Sequence, residues 1–225
     1  MKILLSEPLR LSYPHLCLGI VFICDAHVSG MPESVTAFLS RISQTPAALS
    51  GWDIYFKPGG LFPLSDPSGP DNPWESVFRK TPPPSLSPME LLAWAVSVKY
   101  SLPAEGLSLP SECPMLEGRL SQAGDLWEDP HHVGTPSPAL PEREPVWADE
   151  HHIYVRHLIG FPSPQAVIPA DASHAVFLIP GFSDRNRRQV TAARNELSRR
   201  LKAAFRGTVE SGWADEKSPC FTASL

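Results

Sequence analysis

Proline occupies 26 of the 225 positions, more than twice the usual ~5%. Each proline fixes φ and removes a backbone donor, so prolines are kept out of helix interiors and central strands. The chain must therefore join short elements through long ordered loops. At 42% hydrophobic residues it can still bury a sizeable core, which excludes wholesale disorder. A single domain over residues 1–215 is expected, followed by a flexible tail over 216–225. The formal net charge of −5 argues against holding nucleic acid by bulk charge alone. Cys17, Cys24, Cys113 and Cys220 form no C-x-x-C pair, and they read as reduced thiols of a cytoplasmic protein. Lys2 before Ile3-Leu4-Leu5 hints at a signal peptide, but Glu7, Arg10 and His15 interrupt the apolar stretch. The strongest apolar run, Leu16 to Cys24, has nine residues where a membrane helix needs ~20.

That run is β-branched and ends at Asp25, so it reads as a strand buried on both faces. A helix is expected next, with Pro32 in its first turn and Val35, Phe38, Leu39 and Ile42 on one face. Residues 57–86 read as a surface excursion that carries Trp74, Val77 and Phe78. Ser87-Pro88-Met89-Glu90 is a capping box followed at once by the apolar run Leu91 to Val98, which predicts a helix central to the core. Residues 101–150 are loop-rich, with ten acids against Arg119 and Arg143. Strands are expected at Ile153–Leu158, Gln165–Ile168 and Ala175–Ile179. A long helix from about Ser183 to Phe205 follows, with Gly207 at its C′ position, then a short strand from Thr208 to Trp213. The outline is α+β or mixed α/β, with one central sheet flanked by helices.

Three side-chain sets could carry chemistry. Arg185 to Arg206 holds eight Lys or Arg against Glu196 alone, which is either a phosphate-contacting face or a solvated helix surface. The histidines His131-His132, His151-His152 and His157 invite a metal reading. Adjacent histidines on a strand face opposite ways, however, and no ligand framework accompanies them, so no metal is expected. Glu144, Asp149 and Glu150 precede a strand bearing Arg156 and His157 and could line a pocket. There is no G-x-S-x-G, no G-x-x-x-x-G-K-[ST] and no G-x-G-x-x-G, so a serine-elbow hydrolase or a phosphate-loop enzyme is not indicated.

Glu144-Pro145-Val146-Trp147-Ala148-Asp149-Glu150, followed by Ile153-Tyr154-Val155-Arg156-His157, resembles the B3/4 domain. That domain is the editing domain of the phenylalanyl-tRNA synthetase beta subunit, here in its freestanding form. Trp74 to Pro82 resembles its tryptophan-led helix and proline-rich exit, and Leu92 to Pro103 its central helix with an L-P exit. The ordered likeness spans roughly residues 10–210. It implies a mixed α/β domain that binds the aminoacylated 3′ end of tRNA, and ester hydrolysis of wrongly attached amino acids in members that edit.

Within such a fold, residue type makes His157 and Asp149 the expected catalytic residues, with His157 orienting a water. Trp94, Glu144 and Arg156 are expected to line the substrate pocket, Arg156 anchoring the ribose or carbonyl region. Arg185, Arg187 and Arg188 are expected to meet tRNA phosphates, and no cofactor or metal is implied. The chain departs from the family pattern at three places. Trp94 stands for an asparagine of the central helix, Leu158 for a tryptophan, and Pro180 for an acid linked to sensing a tyrosine hydroxyl. The alternative expectation is a non-catalytic binding module that kept the fold and lost the editing pocket.

Overall fold

The computed structural model describes residues 1–44, 51–56, 60–61, 74–110, 113–128 and 139–224. Its chain order is β1 (Lys2–Leu5), α1 (Glu7–Ser12), β2 (Leu16–Cys24), α2 (Glu33–Ser43), α3 (Asp53–Phe56), α4 (Glu75–Arg79), α5 (Pro88–Tyr100), β3 (Glu105–Leu107), β4 (Met115–Leu120), β5 (Pro145–Ala148), β6 (Ile153–Arg156), β7 (Phe161–Pro162), β8 (Ala175–Phe182), α6 (Arg187–Phe205), β9 (Thr208–Ala214) and β10 (Cys220–Thr222). The class is α+β, as the sequence predicts.

The single central sheet is corrected to two. One has the order β10-β1-β4-β5-β6-β7, antiparallel except for the β1–β4 pair; the other is antiparallel throughout, in the order β3-β8-β2-β9. In the second sheet β2 lies between β8 and β9 and is buried from Leu16 to Ile23. Helix α6 packs on β2, β8 and β9, and α5 packs on both α6 and α2. Gly19 of β2 allows the close approach: a Cβ there would lie 3.1 Å from Val190 Cγ1 and 3.2 Å from Arg194 Cβ.

The local signals account for α5. Ser87 Oγ accepts from Glu90 N, Glu90 Oε2 accepts from Ser87 N, and Met89 with Leu91 to Ser97 is buried. In α2 the residues Val35, Phe38 and Ile42 are buried and Leu39 is half-buried, as their spacing predicts. Other expectations need correction. The strand expected over 165–168 is a single 3-10 turn at Pro164–Ala166, because Pro164 sets its first position. The strand from Ile153 stops at Arg156, since His157 and Leu158 take left-handed backbone, φ 57° and 60°. Helix α6 starts four residues later than Ser183. Asn186 precedes it, accepting from Phe182 N at 2.8 Å and donating to Tyr55 Oη at 2.7 Å. The left-handed residue at its end is Arg206 (φ 56°), and Gly207 is required because a Cβ there would meet Cys24 O at 2.5 Å.

The tail is not loose. Cys220–Thr222 forms β10 on the edge of β1, with Ile3 opposite Phe221. The four cysteines are all free thiols. No helix among the described residues is long and apolar enough to cross a membrane.

Candidate functional site

The two sheets approach each other where β3, an edge of one, faces the β6–β7 turn of the other. Between them and the helices α4 and α5 lies a cleft of about 180 Å3. Trp74, Ser76 and Val77 wall one side and Glu90, Ala93 and Trp94 another; Glu105 and Gly106 of β3 lie opposite Gly160 and Pro162. Trp94 is nearly buried, and its indole Nε1 donates to Ser76 Oγ at 3.3 Å. Trp94 thus lines this cleft. The tryptophan also makes the cleft narrow and largely apolar.

Two carboxyls enter this apolar site. Glu90 has a structural duty at the α5 cap. Burial pushes its carboxyl up, while hydrogen bonds with Ser87 and the Ile168 backbone hold it back. Glu105 differs: the Gly160 N–H donates to its Oε2 at 2.9 Å, and no described residue donates to its Oε1. Burial pushes this carboxyl up to about 7 against the pull of the Gly160 bond, and the charge on Glu90 adds to the rise. A carboxyl poised near neutrality can accept a proton from water or from an ammonium group, and release it again, at ordinary pH. Among the described residues no basic side chain lines the cleft.

The other expected residues do not converge there. Glu144 is buried and receives Arg156 on both oxygens, Nε to Oε1 at 2.7 Å and Nη2 to Oε2 at 2.8 Å. Arg156 also lies over the Trp127 ring at 5.1 Å. His157 Nε2 is 3.7 Å from Glu144 Oε1. Burial brings the imidazole down to about 4, with Glu144 opposing the fall and Arg156 adding to it, so the ring is neutral at pH 7. Glu144 and Arg156 thus form an ion pair with the neutral imidazole beside it, and none of the three is among the residues that line the cleft. The structure groups Glu144, Arg156 and His157 with one another and not with Trp94.

Asp149 sits apart, at the turn between β5 and β6. Its Oδ2 accepts from Tyr154 Oη at 2.6 Å and its Oδ1 from the His151 and His152 N–H groups, both at 2.7 Å. Burial works against the charged form, but these donors hold the carboxyl below its usual range, so it serves as a turn acceptor rather than a base. Asp149 is thus held by Tyr154 and the His151 and His152 backbone, while His157 faces Glu144. The histidines His151 and His152 lie in that turn, and His131-His132 falls outside the described residues. Among the described residues no group of three or more His, Cys, Asp or Glu side chains is placed to hold a metal ion.

Of the arginines, Arg185 and Arg188 are exposed ahead of and within the first turn of α6. Arg187 pairs with Asp215 at 3.1 Å and lies over Trp213 at 4.6 Å, which ties α6 to β9. Arg185 lies 3.8 Å from Asp184. Two of the three thus meet acids of this chain. At the other departures from the family pattern, the Pro180 carbonyl accepts from Tyr55 Oη at 2.9 Å, and the buried Leu158 carbonyl from Trp147 Nε1 at 3.1 Å. Both positions are internal. The residue that sequence reading missed is Glu105. Its signal was a lone acid between Ala104 and Gly106 in an apolar stretch leaving the central helix.

No family model matches the chain, and no curated protein is similar to it.

Proposed function

We propose that the protein binds an amino-acid-like group with a free ammonium in the cleft beneath Trp94. The ligand class is the aminoacyl end of charged tRNA, as the resemblance to the B3/4 domain implies. One observation carries the reading: in a cleft walled by two tryptophans, Glu105 presents a carboxylate oxygen to which no described residue donates, and no described cation lines the walls. An ammonium placed there gains an opposite charge at Glu105 and a tryptophan face, the aromatic surface best suited to a cation. The volume of about 180 Å3 falls below the ~300 Å3 at which drug-sized pockets begin, so it suits one amino-acid-sized group and leaves a nucleotide outside. The exposed Arg185 and Arg188 supply cations for phosphates beyond the cleft. The free thiols accord with a cytoplasmic setting.

Hydrolysis of the ester in trans is the active form of this reading, with a water activated inside the same cleft. The second form is a non-catalytic binding module. It is favoured by the position of Asp149 and His157, neither of which lines the cleft.

The test is filter binding of aminoacylated and of deacylated total tRNA to the wild type, to Glu105→Gln and to an Arg185/Arg187/Arg188→Ala triple variant. Charged tRNA is expected to bind more tightly than uncharged tRNA, Glu105→Gln to abolish that preference, and the triple variant to flatten the salt dependence. Equal binding of both tRNA pools by the wild type overturns the reading. Release of amino acid from charged tRNA faster than in buffer selects the hydrolytic form, and its absence selects the module.

A further inference from the structure

Three of the four residues from His157 to Gly160 have left-handed backbone, with φ of 57° at His157, 60° at Leu158 and 95° at Gly160. Glycine takes this region freely, but a histidine followed by a leucine there is strained, and such strain survives only where the surroundings impose it. Here they do. Arg156, immediately before the turn, is clamped on Glu144 by two hydrogen bonds of 2.7 and 2.8 Å. Inside the turn, Trp147 Nε1 holds the Leu158 carbonyl at 3.1 Å, with both residues fully buried. At its far end the Gly160 N–H reaches across from the six-stranded sheet to Glu105 on the four-stranded one, at 2.9 Å. The Glu144–Arg156 pair and the carboxyl inside the cleft are thus joined through five consecutive residues.

We propose that Glu144, Arg156 and Trp147 are positioning residues for Glu105: they hold the left-handed turn 157–160, and the turn fixes the carboxyl that the cleft presents to its ligand. The inference rests on Glu105 being the ligand-binding group of the cleft. Glu90 faces Glu105 from α5, while Glu144, Arg156 and His157 lie at the opposite end of the turn.

The experiment follows the Glu105 carboxyl by carbon-13 NMR in the full chain labelled at glutamate, with Glu105→Gln identifying the signal, so that no ligand is required. Two variants at His157 separate backbone from side chain. Both lose the imidazole, but asparagine tolerates left-handed backbone and β-branched valine does not. His157→Asn is expected to keep the Glu105 midpoint near 7. His157→Val and Trp147→Phe are expected to raise it by roughly one pH unit, the effect of losing a hydrogen bond to the ionised carboxylate. Should the valine variant fail to fold, Arg156→Gln takes its place, with Arg156→Lys restoring part of the wild-type midpoint.

Equal midpoints for the asparagine and valine variants, or folded Trp147→Phe and Arg156→Gln proteins that titrate like the wild type, overturn the proposal. The functional reading fails separately. If Glu105→Gln leaves the preference for charged tRNA intact while the turn variants still move the Glu105 midpoint, the positioning role stands and the ligand-binding role of Glu105 does not.

Discussion

At the scale of single residues, the cleft carboxyl carries a cost that depends on pH. The Glu105 midpoint of about 7 lies above the ordinary glutamate value of 4.5, because burial disfavours the charged form. A carboxyl whose folded midpoint is raised costs nothing below its unfolded value. The cost grows as pH rises from about 4.5 to about 7 and is then constant. Glu105→Gln, which keeps the shape and an acceptor for Gly160, is therefore expected to be more stable than the wild type at pH 8, by on the order of 2 kcal/mol. The gain should vanish toward pH 4. Urea unfolding at the two pH values checks this, and a variant less stable at both would mean that the carboxylate is better solvated than its burial implies. On the proposed function, an ammonium ligand would remove this penalty by supplying the missing counter-charge.

Among the elements, the joint between α5 and α6 turns on Glu196, a buried acid in the strongly basic α6. Its carboxyl receives Lys99, Tyr100 Oη at 2.6 Å and Arg200 Nη2 at 2.7 Å. Burial alone would raise it, but these donors bring it down to about 2. A lowered carboxyl stabilises the fold above its unfolded value, and that contribution is lost as pH falls from about 4.5 through about 2. Glu196→Gln should thus cost roughly 2 kcal/mol at neutral pH, allowing for solvent at the half-exposed Lys99. The gap should close in acid; thermal melts at pH 7 and pH 3 read it. Much of this layer could be read from the chain: the capping box at Ser87 and Glu90, the apolar run of β2 and the buried stripe of α2 are local signals. Glu105 escaped because what distinguishes it is a donor 55 positions away, delivered by a turn whose left-handed backbone no local residue pattern announced. Glu144, Arg156 and His157 were singled out by charge and are found together, yet charge could not say that they stand outside the lining of the cleft.

For the whole molecule, the question is what keeps two sheets with opposed edges in one body. The main answer is one apolar core shared by both, with Ile3, Leu116 and Trp147 from one sheet and Ile20, Val21 and Phe177 from the other; the Gly160–Glu105 bond at the cleft and the C-terminal strand add two direct bridges. In the latter, β10 pairs with β1 of the six-stranded sheet while its Phe221 ring covers Gly212 on β9 of the other. Phe221 also stacks with Phe22 of β2 at 6.2 Å. The Ala223 N–H caps the pairing on the Met1 carbonyl at 2.9 Å. Gly212 has no spare room: a Cβ there would stand 2.2 Å from the Phe221 ring. If β10 closes the molecule, Phe221→Ala should cost about 2 kcal/mol, less than a fully buried phenylalanine because the ring is partly exposed, and lower Tm by roughly 4–8 °C. Deleting residues 216–225 should cost more, since it also strips the edge partner from β1 and removes amide protection at Ile3 and Leu5. Gly212→Ala should destabilise the wild type yet be nearly neutral in the Phe221→Ala background, because the clash exists only while the ring is there. Unchanged melting after the deletion would mean that the ten residues are an appendage. A double variant whose losses simply add would place the cost at Gly212 in the backbone and not in the contact between the sheets.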